Sequence, residues 1–219
     1  MMAAITSIYT EYRIMPQLQQ HQLRVAAVAK QICDNFPSPL DEPSVLSACL
    51  LHDMGNILKF ELDRFPEFNE PEGLEYWETV KREMGQKYNS TDEHEATVSI
   101  AKELGASQKV IGYIDAIGFD RAADNVTTSS FEAKICCYAD QRVGPYGVLP
   151  LNERLADGKK RYEGREEFAY GNDRHEEYSA ALREIERQIF SETSIQPEDI
   201  TDASTGVHIA DLKHYNIAT

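Results

Sequence analysis

Four positions carry side chains whose types and order could hold a metal ion: His21, the adjacent pair His52–Asp53, and Asp140, with His94 as a fifth. A His-Asp pair by itself is common by chance and says little. Its surroundings give it meaning. His21 belongs to the stripe Leu18–His21–Val25–Val28–Ile32, which recurs at helical spacing and turns the imidazole inward. His52 ends the stripe Val45–Ala48–Cys49–His52, and Asp140 follows Ala133–Cys136–Cys137 at the same spacing. An ionised carboxylate at the inner end of an apolar stripe costs several kcal/mol unless it is paired or bound to a cation. Two imidazoles and two carboxylates meeting between helices would satisfy one another through a divalent ion. Taken singly, each histidine has a blander reading as a core residue bonded to a carbonyl. His94 shares a face with Val98 and Ala101, so it too is expected to point inward, as an extra ligand, a neighbour of the ligands or a phosphate contact. His175, His208 and His214 lie in polar surroundings and read as solvated surface.

The elements that must position these residues are helices. Pro16 to Phe36 keeps helical periodicity until Pro37 and Pro39 close it. A second helix starts near Glu42–Pro43 behind Asp41 as N-cap, with Gly55 expected as the left-handed residue that ends it. Residues 60–76 carry prolines and six acids, and read as an exposed acidic loop followed by a short helix from Leu74 to Gln86. DEHEATVSIAKELG is a helix capped by Asp92 or Thr91 and stopped at Gly105, and Ser107 caps the next, to about Gly118. FDRAADNVTTSS is a polar loop into a helix over about 130–143. LNERLADGKKRY and DRHEEYSAALREIERQIF are two more, the latter with the stripe Tyr178–Leu182–Ile185–Ile189. Convincing strands are scarce and no internal repeat is present. The fold class is therefore all-α, expected as one domain over 1–219 with a core of about 15–165 and a helical extension over 166–219.

Composition narrows the partners. In 219 residues, 37 Asp+Glu outweigh 22 Lys+Arg and leave a net charge of −15. Gripping a polynucleotide by its phosphates needs a basic face, and so does docking on an anionic membrane. Neither partner is expected. No run approaches the roughly 20 apolar residues of a membrane span. MMAAITSIYTEYR lacks the pattern of a signal peptide. Cys33, Cys49, Cys136 and Cys137 have no CxxC spacing and read as buried free thiols of a reducing compartment, with the cytoplasm expected.

HxxRV at His21, Arg24 and Val25, LLHDMGN over Leu50–Asn56, and Asp140 followed by Arg142–Val143 resemble the HD-domain metal-dependent phosphohydrolase superfamily, over roughly residues 15–165. The resemblance implies a helical bundle in which His21, His52, Asp53 and Asp140 bind a divalent transition metal, one of Mn, Fe, Co, Ni or Zn. Many members carry Lys where this chain has Asn56, with Lys59 three residues on. Two-metal branches add two histidines between the HD pair and the last Asp, and here His94 stands alone, so one metal is expected. The implied activity is hydrolysis of a phosphomonoester of a small nucleotide, a nucleoside or deoxynucleoside 5′-monophosphate first. Asp53 would orient water, His94 would protonate the leaving group, and Arg24, Asn56, Lys59, Arg142 and Lys160 would hold phosphate. Pyrophosphohydrolase, diiron-oxygenase and nucleotide-sensing readings are the alternatives, and the chain would act as a monomer or homodimer.

Overall fold

A computed structural model describes residues 4–162 and 171–217, and among these the regular elements are all helical. The expected boundary between core and extension, at 165/166, lies outside the described residues. One hydrophobic core runs from Ile5 to Ile217, with no ladder of strands among the described residues.

At its centre is α3 (Glu42–Leu51), whose residues Ser44 to Leu51 are all buried. A helix that is apolar on every side must be packed on every side. Here α2 (Pro16–Asp34), α6 (Gln108–Ala116) and α8 (Phe131–Asp140) surround it. Asp41 caps α3 as expected, accepting from the Ser44 backbone N–H at 3.3 Å and the Ser44 hydroxyl at 2.9 Å. Ser107 and Ser130 cap α6 and α8 in the same way, each accepting an N–H three residues on. Asp92 caps α5 (Glu93–Glu103), and Gly105, at φ +79°, ends it.

Gly55 corrects an expectation. Helix α3 stops at Leu51, and Gly55 sits at φ −93° and ψ −2°, in the right-handed region. Glycine is required there for space: a Cβ would lie 2.3 Å from the Glu93 carbonyl oxygen, where the start of α5 presses on the turn after α3. The supposed polar loop before α8 also contains a short helix, α7 (Ala122–Asn125).

A helix and a 3₁₀ turn lie where the periodicity gave less notice. Helix α1 (Ile5–Glu11) buries Tyr9, whose hydroxyl donates to the Leu50 carbonyl at 2.7 Å. The acidic segment after α3 is anchored rather than loose. It holds a 3₁₀ turn at Pro66–Asn69, and buried Asn69 donates to the Leu62 carbonyl at 2.6 Å. Trp77 of α4 (Leu74–Tyr88) donates in turn to the Asn69 carbonyl at 3.0 Å. After α8 the chain makes a tight turn in which Val143 and Val148 pair, then runs into α9 (Leu151–Tyr162). Beyond it, α10 (Gly171–Phe190) packs on α7 and α8, and α11 (Asp202–Leu212) lies along α2.

Candidate metal centre

Helix α2 carries His21, the turn after α3 carries His52 and Asp53, and the last residue of α8 is Asp140. Packing α2 and α8 against α3 brings the four together. The two imidazole Nε2 atoms face each other at 3.3 Å. Asp140 Oδ1 lies 3.1 Å from His21 Nε2 and 3.5 Å from His52 Nε2. Asp53 Oδ2 lies 3.5 Å and 3.7 Å from the same two nitrogens. The His52 side chain is 3% exposed and the other three between 16% and 21%, so the cluster lies close to the surface.

Two ring nitrogens pointed at each other need something between them. His52 Nδ1 is 2.8 Å from the Cys49 carbonyl, which makes Nδ1 the donor and leaves Nε2 to face the cluster. Without a metal, a shared proton must do the work. Burial alone would lower the His52 pKa, but the Asp53 charge and the Asp140 hydrogen bond push it up to about 10. Burial alone would raise the Asp140 carboxyl, but the hydrogen bonds and charges of His21 and His52 hold it well below its ordinary range. The donor set fits a divalent ion. Ligands about 2.1 Å from a metal stand about 3.0 Å apart at right angles and about 3.4 Å apart at the tetrahedral angle. The 3.1 Å and 3.3 Å separations fall within that range, and those of 3.5 Å and 3.7 Å lie slightly above it. His21, His52 and Asp53 thus form a group that could hold a metal, their donor atoms all within 4.8 Å of one another.

Neighbours fix these groups, and sequence reasoning missed them. Buried Gln22 accepts the Asp53 backbone N–H at 3.3 Å. Buried Gln141 donates to Asp140 Oδ2 at 2.7 Å, and Thr97 Oγ1 accepts the Gly55 N–H at 2.9 Å. The signal for Gln22 was present, since a polar residue occupies the buried positions i+4 from Leu18 and i−3 from Val25. Gln141 had none.

The other expected site residues divide. Asn56 belongs here, its amide donating to Asp53 Oδ2 at 2.9 Å. Arg24, one turn beyond His21, is half-buried and has no ion-pair or hydrogen-bond partner among the described residues. Lys59 is paired with Glu93 at 2.9 Å, and Lys160 is exposed on the last turn of α9. His94 is not the inward residue expected: it is 40% exposed and its Nε2 pairs with Asp115 at 2.8 Å. The structure does not bring Arg142 to the cluster. Its guanidinium is buried, 1% exposed, and donates to the carbonyls of Leu149, Pro197 and Ile200 and to the Tyr138 hydroxyl. His175, expected on the solvated surface, is half-buried, with its ring 5.0 Å from that of Phe119.

The arrangement of two histidines and two aspartates on three packed helices has a counterpart among known families. A model of the HD domain matches residues 18–141, more than half of the chain, from the first turn of α2 through the end of α8. The chain belongs to the HD-domain family. No curated protein and no solved structure matches it. As an HD-domain protein it has the framework of a metal-dependent hydrolase, with His21, His52 and Asp53 placed to hold the ion. No helix among the described residues is long and apolar enough to cross a membrane.

Proposed function

We propose that this HD-domain protein is a metal-dependent phosphomonoesterase for a small nucleotide, a nucleoside or deoxynucleoside 5′-monophosphate in the first instance. The observation that carries the reading is the convergence of two imidazole nitrogens and two carboxylates close to the surface, one helical turn from Arg24, which has no partner among the described residues. His21, His52, Asp53 and Asp140 would hold one divalent transition ion among Mn, Fe, Co, Ni and Zn, all of which accept mixed imidazole and carboxylate ligands. Such an ion supplies a lowered pKa for water and charge compensation for phosphoryl oxygens.

The chain's own groups do the rest. Asp53 has Oδ2 fixed by Asn56, while Oδ1 has no hydrogen-bond partner among the described residues and is left to orient or deprotonate the attacking water. Arg24 offers a planar fork matched to two phosphate oxygens. His94, with Nε2 held by Asp115, keeps Nδ1 for the leaving group if the substrate reaches α5. The strong negative charge of the molecule favours a small substrate over a polynucleotide, and its four free thiols favour an activity exercised in the cytoplasm.

The test is phosphate release from a nucleotide panel with each metal in turn, alongside Asp53→Ala. Metal-dependent release from monophosphates, lost in the variant, is the expected result. Release of pyrophosphate instead would move the substrate to a longer nucleotide. No release with any metal, from folded and metal-loaded protein, would overturn the hydrolase reading.

A further inference from the structure

The acidic segment after α3 carries three phenylalanines that do not disperse into solvent. The Phe65 and Phe68 rings stack at 5.2 Å with 17° between their planes, and Phe60 lies 6.4 Å from the first and 6.3 Å from the second. The cluster continues across the chain to Tyr146, whose ring is 6.0 Å from Phe68. Tyr146 is 70% exposed, in the tight turn after α8, and its hydroxyl donates to Glu67 at 3.3 Å. A large aromatic ring that is held in place yet left open to water invites a stacking partner.

The chain links this cluster to the candidate metal centre in three places. Phe60 donates its backbone N–H to the carbonyl of Asn56, the residue that holds Asp53. Gln17, one turn before His21 and so about 6 Å away along the α2 axis, donates its amide to the Pro145 carbonyl beside Tyr146. Tyr146 itself follows Asp140 by six residues. Against Tyr146 opens a cavity of about 210 Å³, bounded by the Gly144–Gly147 turn, Leu149, Asp157 and Asp202. That is below the ~300–1,000 Å³ of a site for a whole drug-sized ligand, and on the scale of one ring system. Arg64 places its guanidinium 5.7 Å from the Phe65 ring centre and donates to the Arg161 carbonyl at 2.9 Å, which ties the wall to the basic end of α9.

We propose that Phe65, Phe68 and Tyr146 form a stacking wall that receives the planar aromatic ring of a substrate whose phosphate lies at the metal centre. The proposal rests on the phosphoesterase reading and deepens it by assigning the residues that select for the base. Stacking on an aromatic side chain tolerates any base, because every base has a π-face. The wall therefore selects for the presence of a ring rather than its identity.

The test uses the full chain loaded with Mn(II) and compares calorimetric binding of adenosine 5′-monophosphate, ribose 5-phosphate and inorganic phosphate. The nucleotide is expected to bind at least about tenfold more tightly than ribose 5-phosphate. Tyr146→Ala should bring the two within about twofold, whereas Tyr146→Phe keeps the difference. Phe68→Leu provides a second, independent reduction. Equal binding of the two esters by the native protein, no binding of either, or a ratio unchanged in folded Tyr146→Ala would overturn the wall. Phosphate release read in parallel separates this from the hydrolase reading. Equal turnover and equal binding of both esters would remove the wall and keep the hydrolase. Ring-dependent binding without turnover would keep the wall and remove the hydrolase.

Discussion

His52 is fixed at both ends of its ring: Nδ1 on the Cys49 carbonyl, Nε2 against His21 and two carboxylates. Because that environment raises its pKa, from 6.5 to about 10, the metal-free protein keeps this stabilisation below pH 6.5 and loses it as the pH rises towards 10. The depressed Asp140 acts in the opposite sense, contributing above the ordinary Asp range and failing only as the solution becomes strongly acidic. A metal ligand must be unprotonated, so metal and proton compete for the same nitrogen. Thermal denaturation with and without added Mn(II) should therefore show a stabilisation by metal that grows between pH 6 and pH 10. A gain independent of pH would mean that His52 is not a ligand. Gln141 acts on the same group through Asp140 Oδ2. Replacing it with Leu should weaken metal affinity about 10–100-fold, measured by competition with a chelator, while the far-ultraviolet dichroism stays native.

Among the elements, the turn after α3 is the most constrained. Four residues beyond Leu51 it meets the first turn of α5, where the Glu93 carbonyl, the Ala96 side chain and the Thr97 backbone leave no room for a Cβ on Gly55. A backbone oxygen cannot move aside as the end of a flexible side chain could. Gly55→Ala is therefore expected to cost ~1–3 kcal/mol in chemical denaturation. It should also weaken metal binding, because any shift of the turn displaces His52 and Asp53. Normal stability together with normal metal affinity would refute this account of the turn. The segment that follows shows a different balance. Its acids face water, yet Asn69, Phe60 and Phe68 hold it to the body of the protein, with Trp77 bonded across it.

At the scale of the whole molecule, Arg142 ties the half that carries the His-Asp cluster to the C-terminal region. Its guanidinium reaches the carbonyls of Pro197 and Ile200 from the end of α8, two residues after Asp140. Buried carbonyls that lose a charged donor are left unsatisfied. Arg142→Ala should thus lower stability by about 3 kcal/mol. In the surviving folded fraction, KM for a phosphate ester should stay close to native. A phosphate-binding arginine would give the reverse pattern, with a raised KM and little loss of stability. The chain ends close the same structure, since the Ile5 N–H donates to the Tyr215 carbonyl at 2.9 Å and α11 covers α2.

The sequence by itself determined most of the helices and the order in which the cluster's residues come, for a local reason: stripes at helical spacing show which side of a helix is buried, and His21, His52 and Asp140 stand on those stripes. Asp41, Asp92 and Ser107 were legible as caps because a cap bonds within three residues of itself. Tertiary structure decided whatever depends on a residue distant in the chain. Arg142 and Gln141 stand side by side after Asp140, yet one reaches across to Pro197 and Ile200 while the other holds the Asp140 carboxylate. His94 has inward spacing on its own helix but meets Asp115 at the surface, because the last turn of α6 lies beside it. Gly55 carried the residue type of a left-handed turn and owes its place to a close approach from α5. Periodicity records which face a residue takes on its own helix, and only packing settles what stands opposite.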